Sequence, residues 1–302
     1  LQAIDPLTGA VLANHELSSP AGGYAEGAYA VTATPNGDIY VGTYYDAHLY
    51  RLRQGPDAHL EDLGQFAGER YIWRIVSDEQ GRIYGGTYPG GKLLQFDPAT
   101  DTYRDYGQLL PGLQYVRSVA WHDGTVYAGT QPNANILAVD AESGASTALP
   151  LPPGVPATGW AVHDMNVHDG YLYARIGRSI STSTLYVYQL ATGTWVDSVA
   201  SVVGLDVAAP DEQGRVYFTI ANRGLVSYSP TTREIVTVVA GNPGNSRGIG
   251  WARIDDPAWP GRTLVQALMR GGMLLYNPTT GRSLSLQSEA RGEPIGIWSL
   301  SA

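Results

Sequence analysis

The 302-residue chain has no cysteine, which excludes a disulfide framework, a thiolate zinc site and a cysteine nucleophile. Lysine is almost missing: Lys92 is the only one, so the positive charge is nearly all arginine, whose planar guanidinium grips a carboxylate in two places where an ammonium cannot. No run approaches the roughly 18 consecutive apolar residues of a transmembrane helix, so no membrane span is expected. The Gly-Lys-Ser/Thr ending of a phosphate loop is lacking as well. The six histidines are too scattered for a histidine-cluster metal site. No cofactor is expected, with calcium in a turn as the one ion left open. A formal charge of -9 and a pI near 5.1 argue against nucleic acid, which calls for a basic patch.

What the chain does have is 37 glycines, 19 prolines and 20 tyrosines at 43% hydrophobic content, the composition of a turn-rich all-β protein. It opens at Leu1 with neither an initiator Met nor a signal segment, so a mature or excised piece of a longer product is expected, with further domains in the parent chain.

A repeat sets the fold. Asp38-Ile-Tyr-Val-Gly-Thr, Arg82-Ile-Tyr-Gly-Gly-Thr, Thr125-Val-Tyr-Ala-Gly-Thr, Tyr171-Leu-Tyr-Ala-Arg and Arg215-Val-Tyr-Phe-Thr are variants of one text. Tyr40, Tyr84, Tyr127, Tyr173 and Tyr217 follow one another at 44, 43, 46 and 44 residues, and Leu264 comes 47 later. That is the length of a four-stranded propeller blade. The expected fold is therefore all-β: a seven-bladed β-propeller in a single domain over 1–302, each blade of four antiparallel strands. Whole blades are expected near 28–64, 72–109, 115–151, 162–200, 204–240 and 247–287. A split, incomplete closing blade would come from 295–302 plus 1–17, and an eight-bladed parent cut at both ends is the alternative count.

In a propeller the starts of the first strands and the loops after the second strands open on one face. The first strands bring Tyr71, Arg74, Tyr115, Arg117, His163 and Arg247 there; the loops bring Tyr44, Tyr88, Lys92, Asn135 and Arg223. Aromatic faces, amides and arginine suit a sugar ring bearing a carboxylate. Abstraction of the proton α to a uronate carboxylate needs a base, for which His163 or Tyr115 is the candidate, and a cation such as Arg117, Arg74 or Arg247 for the developing charge. The competing reading is structural: tyrosines packing between blades, and Arg74, Arg117 and Arg247 paired with Asp164 or Asp206.

The text Gly-Thr-Tyr-Pro-Gly-Gly-Lys-Leu-Leu-Gln-Phe-Asp-Pro-Ala-Thr at 86–100, with Tyr-Val-Arg-Ser-Val-Ala at 115–120, resembles exported bacterial seven-bladed propellers, among them polysaccharide-lyase-type propellers. The resemblance spans the chain as architecture and is unspecific as chemistry. It implies either a lyase cleaving a uronate-containing glycan by β-elimination or a non-catalytic propeller that binds a glycan or a protein. Oligogalacturonate lyases hold a metal with clustered histidines, and this sequence departs from that pattern; a lyase here would resemble the metal-free kind, worked by Tyr, His and Arg. The expected partner is an acidic oligosaccharide or polysaccharide.

Overall fold

The computed structural model describes residues 1–18, 27–55, 58–66, 68–241, 246–268 and 272–286. Among them there are strands and turns and no helix, hence no helix long and apolar enough to cross a membrane. The chain divides into two compact units: Glu16–Val167 with Ala174–Ser179, and Leu1–His15 with His168–Tyr173 and Ile180–Ala302. The closing strand expected at Ile295 to Leu300 lies outside the described residues.

The first of these units holds three antiparallel quartets in simple meander order. They are β3 to β6 (Ala28–Ala33, Ile39–Thr43, His48–Leu52, Leu60–Gln65), β7 to β10 (Tyr71–Ser77, Ile83–Tyr88, Lys92–Asp97, Thr102–Gln108) and β11 to β14 (Tyr115–His122, Thr125–Gln131, Ile136–Asp140, Ser146–Leu149). The unit also takes most of β15 (Ala161–His168) and the second half of β16 (Tyr171–Ser179). Inner strands are apolar on both faces while the fourth strands alternate with exposed polar residues, as strands sandwiched between neighbouring sheets must.

The other unit holds the hairpin β1–β2 (Gln2–Ile4, Val11–Asn14) and β17 to β25. Those strands run Thr182–Gln189, Thr194–Ala208, Val216–Ile220, Gly224–Tyr228, Ile235–Ala240, Ser246–Arg253, Arg262–Leu268, Met273–Asn277 and Arg282–Leu286. The 15-residue β18 serves two quartets: its start pairs with β17 and its end with β19. Ile4 and Leu7 of the opening hairpin pack on Trp259, Val265, Met273 and Leu275, next to the last quartet. In that quartet Leu264 pairs with Tyr276 and Val265 with Leu275, whereas Ile83 pairs with Phe96 and Tyr84 with Gln95. Val265, one residue past Leu264, therefore occupies the register that the tyrosines mark elsewhere.

Two features of the repeat have direct physical causes. The text Asp-Glu-Gln-Gly-Arg stands at 78–82 and again at 211–215. In both copies the aspartate accepts from the backbone N–H groups two and four residues on, from the arginine Nε, and from the tyrosine hydroxyl six residues on. Tyr84 and Tyr217 thus bury their rings without stranding a hydroxyl.

The second feature is the glycine after the tyrosine. A Cβ on Gly42 would lie 2.6 Å from Ile72, one on Gly86 would lie 2.5 Å from the carbonyl oxygen of Val116, and one on Gly129 would lie 2.6 Å from Val162. Each glycine is a notch that admits the first strand of the next quartet. Opposite these glycines the first strands carry β-bulges: the register slips at Ala28/Ala30, Ile72/Arg74 and Val116/Ser118, leaving Tyr29, Trp73 and Arg117 as the extra residues. His163 follows Val162 as Arg117 follows Val116 and Trp73 follows Ile72. A bulge re-aims its residue out of the pleat, so the notch, the bulge and the side chain beside them recur together from quartet to quartet.

Candidate functional site

In the unit built on β3 to β14, the bulged residues meet. Tyr29 lies edge-on to Trp73 at 4.5 Å between ring centroids, and the Arg117 guanidinium lies over Trp73 at 4.2 Å and over Tyr29 at 5.7 Å. Tyr71 stacks on Trp73 at 5.0 Å and Tyr44 on Tyr71 at 6.1 Å. Tyr88 stacks on Tyr115 at 4.1 Å, and Tyr115 lies 5.9 Å from Trp73. Tyr45 adds a seventh ring to this aromatic wall, 5.2 Å from Tyr71 and under the Arg70 guanidinium at 5.6 Å. It is 44% exposed and sits at a φ of 72°, a left-handed conformation that costs a non-glycine residue energy.

Charge is concentrated beside the rings. Arg74 Nη2 lies 3.9 Å from Asp164 Oδ1, the structural pairing the sequence allowed. Burial pushes the Asp164 carboxyl up, against the pull of Arg74, Arg175 and Arg117. His163 is pushed down to about 4 by burial and by the nearby Arg175 and Arg117 charges, so it is neutral at neutral pH. Its Nε2 donates to the Gly177 carbonyl at 3.1 Å, which leaves Nδ1 as the basic nitrogen. Burial, with the hydrogen bond to Tyr88, raises Tyr115; burial, with the bond to Tyr45, raises Tyr71. Both phenols therefore hold their protons at neutral pH, which suits an acid better than a base.

Arg117 differs from the other arginines of this unit that touch a ring or a carboxylate. It is half-buried, its Nη2 reaches the Tyr29 hydroxyl at 3.5 Å, and among the described residues no carboxylate lies within ion-pairing distance. Arg51, by contrast, bonds Glu61 at 2.6 Å.

Of the residues expected from sequence, Tyr44, Tyr71, Arg74, Tyr88, Tyr115, Arg117 and His163 fall in this neighbourhood. Lys92 is engaged elsewhere, with Nζ 2.9 Å from Asp105 and 5.6 Å from the Phe66 ring centroid. The Asn135 amide donates to Thr130 and to the Asn133 carbonyl and so shapes its own loop. In the other unit Arg223 bonds Thr237 and the Ile235 carbonyl on the outer strand. Arg247 is buried there at a bulge of its own, between Ser246 and Gly248. Tyr29 and Trp73 were not anticipated, although aligning the repeats on Ile72, Val116 and Val162 puts Trp73 in register with Arg117 and His163. Among the described residues no three His, Asp or Glu side chains are grouped to hold a metal ion.

No family model matches the chain, and no curated protein sequence matches it. Solved structures do. A streptogramin B lyase structure aligns over 95% of this chain and 89% of its own at 14% identity and a TM-score of 0.71. A chain of the mitotic checkpoint complex aligns over 91% of this chain and 80% of its own at 10% identity and a TM-score of 0.68. The extracellular domain of a protein described as a one-component system, BT4673 of B. thetaiotaomicron, aligns over 90% of this chain and 35% of its own at 16% identity and a TM-score of 0.63. At such identities the likeness carries the fold alone. Together with the strand quartets it establishes the class: the protein is a β-propeller, its six quartets and opening hairpin matching a count of seven blades.

Proposed function

We propose that the aromatic wall around Arg117 binds an acidic saccharide, with the guanidinium taking the carboxylate and the phenols of Tyr29, Tyr45, Tyr71, Tyr88 and Tyr115 taking ring hydroxyls. The observation that supports this reading is Arg117 itself, half-buried among rings with no carboxylate partner among the described residues. A desolvated guanidinium with unspent donors favours an anion, and half-exposed phenols favour a hydroxylated ring over an alkyl chain. An acidic glycan also fits the secreted or cell-surface setting that the resemblance to exported propellers implies. Calorimetry with oligogalacturonate and with the same oligomer after methyl esterification tests the reading: the acid form should bind and the ester should not. Equal binding of the two, or binding of neither across a panel of uronate-containing glycans, rejects it.

A second reading adds chemistry and is favoured by one observation, the neutral His163 beside Arg117. In a β-elimination His163 Nδ1 would take the proton from the carbon α to the carboxylate. The carbon–oxygen bond at the β carbon would break as the carbon–carbon double bond forms, and Tyr115 would protonate the departing oxygen, with Arg117 facing the charge that develops on the carboxylate. The streptogramin B lyase likeness lends this reading a precedent by name only. Ultraviolet absorbance of an unsaturated uronate product, present for the wild type and absent for His163→Gln, is the expected result; no absorbance on glycans that do bind leaves a binding module.

A further inference from the structure

The stacking order of the rings around Arg117 assigns a role to Trp73, which neither the repeat nor the acidic-ligand reading singles out. Tyr44 and Tyr71 are parallel within 7°, Tyr71 and Trp73 within 5°, and the Arg117 guanidinium caps the Trp73 face. These three rings form one column ending in a cation. The fold builds it from separate pieces. Tyr44 follows β4 and bridges to Tyr71 at the start of β7; Trp73 is the bulged residue two positions on; Arg117 is the bulged residue of the neighbouring quartet.

A cation over a ring is attracted by the ring quadrupole, and the contact takes up none of the five N–H donors as a carboxylate would. A carboxylate partner would neutralise the charge and occupy the donors. An indole partner fixes the orientation and does neither. Arg117 is thus held against Trp73, half-buried, with one donor reaching only a phenol at 3.5 Å.

We propose that the Tyr44–Tyr71–Trp73 column is a positioning device, with Trp73 as its working residue, that presents the donor edge of Arg117 to a ligand carboxylate. The proposal rests on the acidic-ligand reading above and deepens it. Holding the fork in place before binding removes the cost of ordering a long side chain, which is the ordinary way that rigid sites gain affinity. Trp73 needs no contact with the ligand for this; its effect passes through Arg117.

A double-mutant cycle tests it, using calorimetry on Arg117→Gln, Trp73→Leu and the double variant. The probes are oligogalacturonate and benzoate, the latter a carboxylate without sugar hydroxyls. Arg117→Gln should weaken oligogalacturonate binding by roughly 10- to 100-fold and Trp73→Leu by about tenfold. The double variant should bind no more weakly than Arg117→Gln alone. Trp73→Phe, which keeps a ring face, should regain most of the affinity; Trp73→Met, which has no ring, replaces Trp73→Leu in the cycle if that variant is poorly folded. Losses that add, or a ringless Trp73 variant that binds as the wild type does, overturn the proposal while leaving the glycan reading standing. Benzoate binding with the same coupling, but no oligogalacturonate binding, keeps the positioning role and removes the glycan. If neither probe binds at millimolar concentration, both fall.

Discussion

The guanidinium carbon of Arg117 lies 4.2 Å from the centroid of the Trp73 ring, and this contact joins two quartets through the residues their β-bulges set apart. It gives the guanidinium no carboxylate partner. Arg117 should therefore matter far more to ligand than to folding. Replacing it with glutamine removes a cation–π contact worth about 0.5–2 kcal/mol and no ion pair. The melting temperature is expected to move by only a few degrees, while the binding of an acidic oligosaccharide falls steeply. A collapse of stability in a melting scan would assign Arg117 to the framework.

His163 should resist protonation. Its native pKa is pushed down to about 4, against about 6.5 in an unfolded chain. Between those values the unfolded state takes up a proton that the native state refuses, so stability is complete above about 6.5 and declines as the pH falls toward 4, by up to ~3 kcal/mol. His163→Gln should flatten this part of the stability profile. The imidazole signals of His163 followed by NMR should show a midpoint far below that of a free histidine; an ordinary midpoint would contradict the burial and the two arginine charges invoked here.

Asp211 has the opposite sign. Burial works against its ionisation, but hydrogen bonds from Tyr217, Arg215 and two backbone amides outweigh that and hold its pKa below the usual carboxylate range. Its contribution is present above the unfolded value of about 3.9 and is lost as the pH falls through the lower native value. Asp211→Ala should cost ~1–3 kcal/mol in urea unfolding, because it strands the buried Tyr217 hydroxyl and the turn amides. A change within a few tenths would mean that these groups find other partners.

The glycine notches should be intolerant of a methyl group. An alanine at 86 would put Cβ 2.5 Å from the Val116 carbonyl oxygen, which is backbone and cannot rotate away. At Gly85 the nearest atoms are side-chain carbons of Ile75 and Leu94 at 3.2 Å. Gly86→Ala should therefore destabilise by ~1–3 kcal/mol and Gly85→Ala by clearly less. Equal losses in thermal melts would show that the neighbouring strand shifts to make room.

The quartets were legible in the sequence because each one is local. Tyrosines at near-constant spacing, alternating apolar residues and Asp-Gly turns act over a few tens of residues, and every copy repeats the message. Arg74, Tyr115, Arg117 and His163 could be gathered for the same reason. The register failed only where the marker changed, at Val265, since without a tyrosine nothing in the last copy distinguishes it from Leu264. Lys92 and Arg223 look like ligand residues in the text, yet each bonds a partner on the fourth strand of its own sheet, a cross-strand pairing that spacing does not reveal.

The sequence by itself determined the repeating strand quartets, the tyrosines that mark their register and the scarcity of lysine that leaves arginine as the cation. Only the tertiary structure decided that Arg117 stands without a carboxylate among the described residues, and that Trp73 lies beneath it. Those facts depend on bulges that turn single residues out of register and on neighbouring sheets brought together through glycine notches. Such contacts join residues some 44 positions apart, a distance over which local propensity says nothing and packing settles everything.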